Sequence, residues 1–225
     1  MKNKKTRYDL RIKSIPFFAC LTDDEWEQVR HAFVEKLISK NTIILGEQDT
    51  QEYMYIVLSG RVKVLHSGSD GTENILAIHS AGDFFGEMAL LDGKTAPATL
   101  MAMENTRVAL LAKKDFEIHF LNKTKVLHEL IAVLCSRLRS AWVTTKLLSL
   151  PRAEDRIRTA LKLLCSNHGT KDKRGMIISC KLTHQDIADY ASVSRETVTR
   201  FLSKAVKKGE IEILDDKYLL LKHQF

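Results

Sequence analysis

The spacing of apolar side chains changes along the chain, and each change predicts a different kind of element. Between Ser14 and Phe33, the cluster Ile15-Pro16-Phe17-Phe18 is followed by Thr22 and the acids Asp23, Asp24 and Glu25. A hydroxyl ahead of carboxylates predicts a helix start, because both suit the unpaired N–H groups of a first turn. Trp26, Val29 and Phe33 then fall on one side of that helix. From Ile38 to Leu111 the texture turns to short β-type segments, with strands expected at 42–45, 53–58, 62–66, 73–79 and 106–111. Ser69-Asp70-Gly71 and Ala81-Gly82-Asp83 are the turn signals between them. Many short strands at this spacing predict a sandwich or barrel-like β-domain.

Inside that region, residues 84–99 (FFGEMALLDGKTAPAT) do not alternate as a strand would. Gly86-Glu87-Met88 is expected to open a helical turn, whose outward N–H groups with Gly93 nearby form a cradle for an anion or small ligand. The plainer reading is a crossing loop with a solvated Glu87.

From Lys113 to about Ser149 the pattern becomes helical. Leu127, Ile131, Leu134, Leu138, Ala141, Thr145 and Leu148 are spaced 4-3-4-3-4-3. A 3.5-residue repeat over three heptads predicts a coiled-coil seam between two copies of a long helix. The alternative is an amphipathic helix lying on the β-domain. Pro151 ends the run and marks a hinge. Ile157, Ala160, Leu161 and Leu164 predict a helix over 154–165, followed by a polar loop over 167–175 and a short strand over 176–181.

Residues 182–202, LTHQDIADYASVSRETVTRFL, predict two short helices around a tight turn at Ala191-Ser192-Val193. Thr183 and Ser194 are the expected caps. In the second helix Val198, Phe201, Leu202 and Ala205 make one buried face. Arg195, Glu196, Thr199, Arg200 and Ser203 occupy the opposite one. A helix divided in this way is what a helix-turn-helix lays in the major groove, the bland alternative being a surface helix pair with solvated charges. Gly209 stops the helix, and 211–221 predicts a hairpin turned at Asp215-Asp216-Lys217, which makes the module a winged one.

Composition sharpens this picture. A chain of 225 residues with 44% hydrophobic content suits two modest domains. The formal charge is +7, with 15 Lys and Arg against 10 Asp and Glu from Leu150 onward, and 20 against 18 before it. The basic excess therefore accompanies the helix pair, as a polyanionic partner would require. Cys20, Cys135, Cys165 and Cys180 form no CxxC pair, so neither a disulfide framework nor a metal site is expected, and each is read as a buried or half-buried thiol. The basic residues 1–7 precede no apolar signal core, and no apolar run approaches the ~20 residues of a membrane span. A soluble, cytoplasmic protein without membrane association is expected. An enzyme is not, since Glu87 is the one carboxylate in a plausible pocket and no histidine, serine or cysteine accompanies it at catalytic spacing.

With these parts in this order, residues 17–221 resemble the Crp/Fnr family of bacterial transcription regulators, most specifically in GEMALL (86–91) and SRETVTR (194–200). The resemblance implies an α+β fold: an N-terminal β-roll of cyclic-nucleotide-binding type with its helix (1–120), a long dimerisation helix (121–149) and a C-terminal winged helix-turn-helix (150–225). It also implies a homodimer on double-stranded DNA, with RNA polymerase as a further partner of an activator. Arg195, Glu196 and Arg200 match the triad that reads a TGTGA-type half-site. Arginine forks suit guanine O6 and N7, and a carboxylate accepts from cytosine N4. Thr183, Gln185, Ser194 and Thr197 match positions that hold phosphates.

The implied effector pocket comprises Gly86, Glu87, Met88, Ala96, Pro97, Arg137 and Trp142, and it departs from the family pattern. Gly86, Glu87 and Arg137 match. Ala96 stands where the phosphate-clamping arginine belongs, Pro97 replaces a hydroxyl residue, and Ala141-Trp142 replaces two hydroxyl residues. Losing charged phosphate contacts removes about 1.5–3 kcal/mol for each bond, so tight cyclic AMP binding is not expected. A cyclic-nucleotide response through a variant pocket stays open, as does haem, with His66, His79, His119 and His128 available as ligands, or another apolar effector. An iron–sulfur cluster is not expected, because Cys20 stands alone in the N-terminal region. The rival of a different class is a sensor module acting through protein partners, which leaves the C-terminal module without a task.

Overall fold

The computed structural model describes residues 12–13, 15–68, 71–215 and 218–225. Residues 1–7, Ser14, the Ser69-Asp70 part of one expected turn and the Asp216-Lys217 part of another lie outside the described residues. The chain is α+β and divides into two compact units, with the main boundary between Arg139 and Ser140.

The first unit opens with helices α1 (Pro16–Ala19) and α2 (Asp23–Val29). Thr22 caps α2 as expected. Its hydroxyl accepts from the Glu25 amide at 3.2 Å, while the Glu25 carboxylate accepts from the Thr22 amide at 2.9 Å. Trp26 and Val29 are buried on this helix, but Phe33 is not part of it. A 3-10 turn over Arg30–Ala32 intervenes, and Phe33 is buried as the first residue of strand β1 (Phe33–Ile38).

The strands β2 (Ile43–Leu45), β3 (Tyr53–Ser59), β4 (Arg61–Ser67), β5 (Glu73–Ser80), β6 (Phe84–Phe85), β7 (Thr99–Ala102) and β8 (Thr106–Ala112) follow. They form sheets of order β1-β8-β3-β6 and β2-β7-β4-β5. Strand β1 is not among the expected strands, the first of which is 42–45. Val34 and Leu37, on opposite faces of the strand, are exposed apolar residues, which removes the inside–outside contrast that marks a strand. Helix α3 (Glu87–Asp92) sits between β6 and β7, as the GEMALL pattern predicts.

The helical run after β8 is two helices rather than one. Helix α4 (Lys113–His119) ends before a turn at residues 120–123, and α5 spans Thr124–Leu148. Asn122-Lys123-Thr124 interrupts the apolar pattern with residues that favour a new helix start. Val126 and Leu130 of α5 join the core of the first unit with Phe17, Phe18, Phe84 and Phe120, and Leu134 packs against it. Of the heptad positions, Leu127 and Leu134 are half-buried, whereas Ile131, Leu138, Ala141, Thr145 and Leu148 are exposed, Leu138 by 53%. Five of the seven expected seam positions are therefore exposed.

The second unit contains α6 (Ala153–His168), β9 (Gly169–Asp172), β10 (Gly175–Ile178), α7 (His184–Ala191), α8 (Arg195–Lys207), β11 (Ile211–Ile213) and β12 (Leu219–Lys222). The expected loop over 167–175 is a strand and its turn: β9 pairs antiparallel with β10 from Gly175↔Asp172 to Ile178↔Gly169. Its polar residues give no apolar alternation because β9 is an edge strand of the sheet β11-β12-β10-β9. Ile157, Ala160, Leu161 and Leu164 are buried as predicted, with Ile187, Val198, Phe201 and Leu202. Cys165 and Cys180 are buried, and burial pushes the Cys165 thiol up to about 11. Cys135 departs from the expectation and is exposed, because it lies on the outer side of α5.

Candidate nucleic-acid interface

Two caps set the geometry of α7 and α8. The Thr183 hydroxyl accepts from the Asp186 amide at 3.0 Å, and the Asp186 carboxylate accepts from the Thr183 amide at 2.9 Å and hydroxyl at 2.7 Å. Helix α7 ends at Ser192, whose φ of 51° is left-handed. The Arg156 guanidinium of α6 fixes this corner by donating to the carbonyls of Ala191 (3.2 Å), Leu150 (2.9 Å) and Ser192 (3.4 Å). Ser194 then caps α8, accepting from the Thr197 amide at 3.3 Å.

With Val198, Phe201, Leu202 and Ala205 turned inward, Arg195, Glu196, Thr199, Arg200 and Ser203 all face solvent. The Glu196 carboxyl is held below the ordinary carboxylate range by its own backbone N–H first, then by the Ser194 hydroxyl and the charges of Arg195 and Arg200. It is an acceptor beside two exposed cations, a set whose chemistry suits C and G edges. Arg200 also donates to the Thr197 hydroxyl at 3.4 Å, which orients its fork along the helix. Gln185 is exposed and donates to the carboxylate of the buried Asp189 at 2.6 Å.

Three parts of this face were not anticipated from the pattern. Thr199, Arg200, Ser203, Lys204, Lys207 and Lys208 line a basic groove along the last turns of α8. The lysines stand in the run KAVKK, which local pattern does not distinguish from an ordinary basic helix end. Lys204 is tied to Glu154 at 2.7 Å. The second is the Arg156 clamp. The third is His184, whose Nδ1 lies 2.8 Å from the Thr199 hydroxyl. No local periodicity reveals pairs so far apart in sequence.

The expected effector residues divide differently. Glu87 is 2% exposed and accepts from Arg137 at 2.6 Å, so the plainer reading of a solvated carboxylate is corrected. Arg137 also donates to the Phe84 carbonyl and stacks over the Phe84 ring at 4.5 Å. Gly86 begins the turn with φ of 88°. Ala96 is 2% exposed and packs in an apolar cluster with Leu45, Val57, Val62, Phe85 and Leu100. Its amide donates to the Asp49 carbonyl at 3.0 Å and its carbonyl accepts from the Gln48 amide at 2.8 Å. Met88 and Pro97 are exposed, and Trp142, on α5, is exposed by 60%. Among the described residues no group of three or more His, Cys, Asp or Glu is placed to hold a metal ion. None of the described helices is long and apolar enough to cross a membrane.

Comparison with known proteins agrees with both halves of this picture. A model of the cyclic nucleotide-binding domain matches residues 35–123, and one of the Crp-like helix-turn-helix domain matches residues 146–224. The cyclic AMP receptor protein of Thermus thermophilus is 31% identical over 203 residues, 90% of each chain. A cAMP-activated global transcriptional regulator of Pasteurella multocida is 32% identical over 202 residues, covering 88% of this chain and 90% of the relative. Among solved structures, FixK2 from Bradyrhizobium japonicum superposes with a TM-score of 0.75 at 27% identity, covering 85% of this chain and 93% of that one.

Proposed function

We propose that this chain, which belongs to the Crp/Fnr family of bacterial transcription regulators, binds a palindromic TGTGA-like operator as a homodimer in the cytoplasm. One observation carries the reading: Arg195, Glu196 and Arg200 stand exposed together on a helix whose other face is buried. Thr183, Gln185, Ser194 and Thr197 flank them as phosphate contacts, which fix register without reading sequence. The exposed heptad positions of α5 support pairing of two chains, and pairing would set the half-sites about one helical turn, ~34 Å, apart. In this reading 1–120 is the sensor, 121–149 the dimerisation helix and 150–225 the DNA-binding domain. RNA polymerase is the further partner if the protein activates.

The effector we assign to the β-roll is a small molecule other than cyclic AMP. Ala96 supports this, because an arginine site that has become apolar core offers a phosphate no charge. The retained Glu87–Arg137 pair favours a second reading, a cyclic-nucleotide response through a variant pocket, in keeping with the names of the Thermus and Pasteurella relatives.

Selection from a pool of random duplexes tests the operator. The expected winners carry two inverted TGTGA-like half-sites, and enrichment of unrelated or unpaired sequences would refute the proposal. Calorimetric titration with cyclic AMP tests the pocket. No heat of specific binding is expected, whereas a stoichiometric isotherm would establish the second reading.

A further inference from the structure

We propose that Arg158 is a positioning residue for operator reading, one that holds α8 in register with the wing through Phe201, Glu210 and Phe225. The inference rests on the DNA-binding reading above. Arg158 is half-buried on α6. Its guanidinium donates to the Glu210 carboxylate at 2.7 Å, immediately before β11. Its Cζ lies 4.5 Å from the centre of the Phe225 ring, just beyond β12, and 5.6 Å from that of Phe201, in the middle of α8. The two rings meet edge to face, with centres 6.4 Å apart and planes at 87°. A guanidinium can serve both partners at once, because its N–H groups point outward in the plane while its faces stay open to a ring. An ammonium is a point charge and has no such faces.

Backbone bonds close the same corner. The Glu210 amide donates to the Ala205 carbonyl at 2.9 Å, and the Glu210 carbonyl accepts from the Lys222 amide at 3.0 Å. The Gln224 side-chain amide donates to the Gly209 carbonyl at 3.0 Å, and the Phe225 amide to the Lys222 carbonyl at 2.9 Å. Lys162, one turn along α6, places its Nζ 5.8 Å from the centre of the Phe225 ring. One arginine of α6 therefore touches the inward face of α8, the entry to β11 and the exit from β12.

The consequence for reading follows from what lies on the other side of α8. Phe201 is 4% exposed, directly after Arg200 and on the face opposite Arg195, Glu196 and Arg200. Any roll or slide of α8 that moves Phe201 from its place against Arg158 and Phe225 also moves those three residues. Hydrogen bonds to base edges tolerate little displacement, since they weaken steeply with distance and angle. Attraction between basic side chains and phosphates is long-ranged and tolerates more. The stack at Arg158 therefore governs the preference among sequences rather than the strength of binding to DNA at large.

The test is fluorescence anisotropy of the full chain with a labelled TGTGA palindrome and with a scrambled duplex of equal length, at fixed salt and below the melting temperature of every variant. Phe225→Leu keeps apolar bulk and net charge but removes the ring face. Arg158→Met keeps the length of the side chain but removes the guanidinium. Each should lower the palindrome-to-scrambled affinity ratio by about threefold to tenfold. For Phe225→Leu, affinity for the scrambled duplex should stay within about twofold of that of the unaltered protein. The double variant should discriminate no worse than the more impaired single variant, because both changes remove one stack. Phe225→Tyr, which keeps the ring, should keep the ratio of the unaltered protein. An unchanged ratio in Phe225→Leu would overturn the assignment, and so would a parallel fall for both duplexes or losses that add in the double variant. Should Arg158→Met not fold, Phe225→Leu against Phe225→Tyr decides by the same criteria. An unaltered protein that does not prefer the palindrome would instead refute the DNA-binding reading beneath the proposal.

Discussion

Gly86 shows how tightly a single residue is specified. Its φ of 88° lies in the left-handed region, and a Cβ there would sit 1.8 Å from Gln51 Nε2 and 2.8 Å from the Tyr53 carbonyl oxygen. Gly86→Ala combines backbone strain with a clash, and it should destabilise the first unit by about 1–3 kcal/mol in urea unfolding. The residues proposed to contact DNA are specified by the opposite condition, exposure on a helix whose other face is buried. Arg195→Ala or Arg200→Ala should each cost about 1–3 kcal/mol of operator binding and relax base choice at one position of the half-site. Competition with single-base operator variants measures both effects. A loss that is uniform over all variants would make that arginine a phosphate contact.

Among the elements, α7 depends on its capping box more than on length, since eight residues make a marginal helix. Thr183→Ala should lower stability by about 1 kcal/mol in thermal unfolding, because it orphans the Asp186 amide. The helix pair was legible in the sequence because its signals are local: two caps, a left-handed corner and one 3.6-residue stripe. Elements lacking such contrast were not. Strand β1 exposes Val34 and Leu37, β9 carries no apolar residue to alternate, and the break between α4 and α5 depends on the short polar stretch at 122–124. Candidate site residues divide in the same way. Arg195, Glu196 and Arg200 were visible from helical spacing, whereas His184 against Thr199 and Arg156 against Ala191 are tertiary pairs 15 and 35 residues apart. The burial of Ala96 in an apolar cluster likewise depends on strands far from it in sequence.

For the whole molecule, the central claim joins two chains to one palindrome. The exposed heptad positions are the means, and an acid among them should undo it. Leu138→Asp should shift the protein from dimer to monomer in light scattering, since two buried carboxylates would face each other across the seam. The most direct measurement is the ratio of affinities for a TGTGA palindrome and a scrambled duplex of equal length at 0.15 M salt or thereabouts. Specific binders of this kind prefer their sites by about 10³-fold or more, and the account predicts such a ratio with one dimer bound per duplex. Equal affinity for the two duplexes would contradict it, leaving the basic C-terminal third as a non-specific attraction for polyanions.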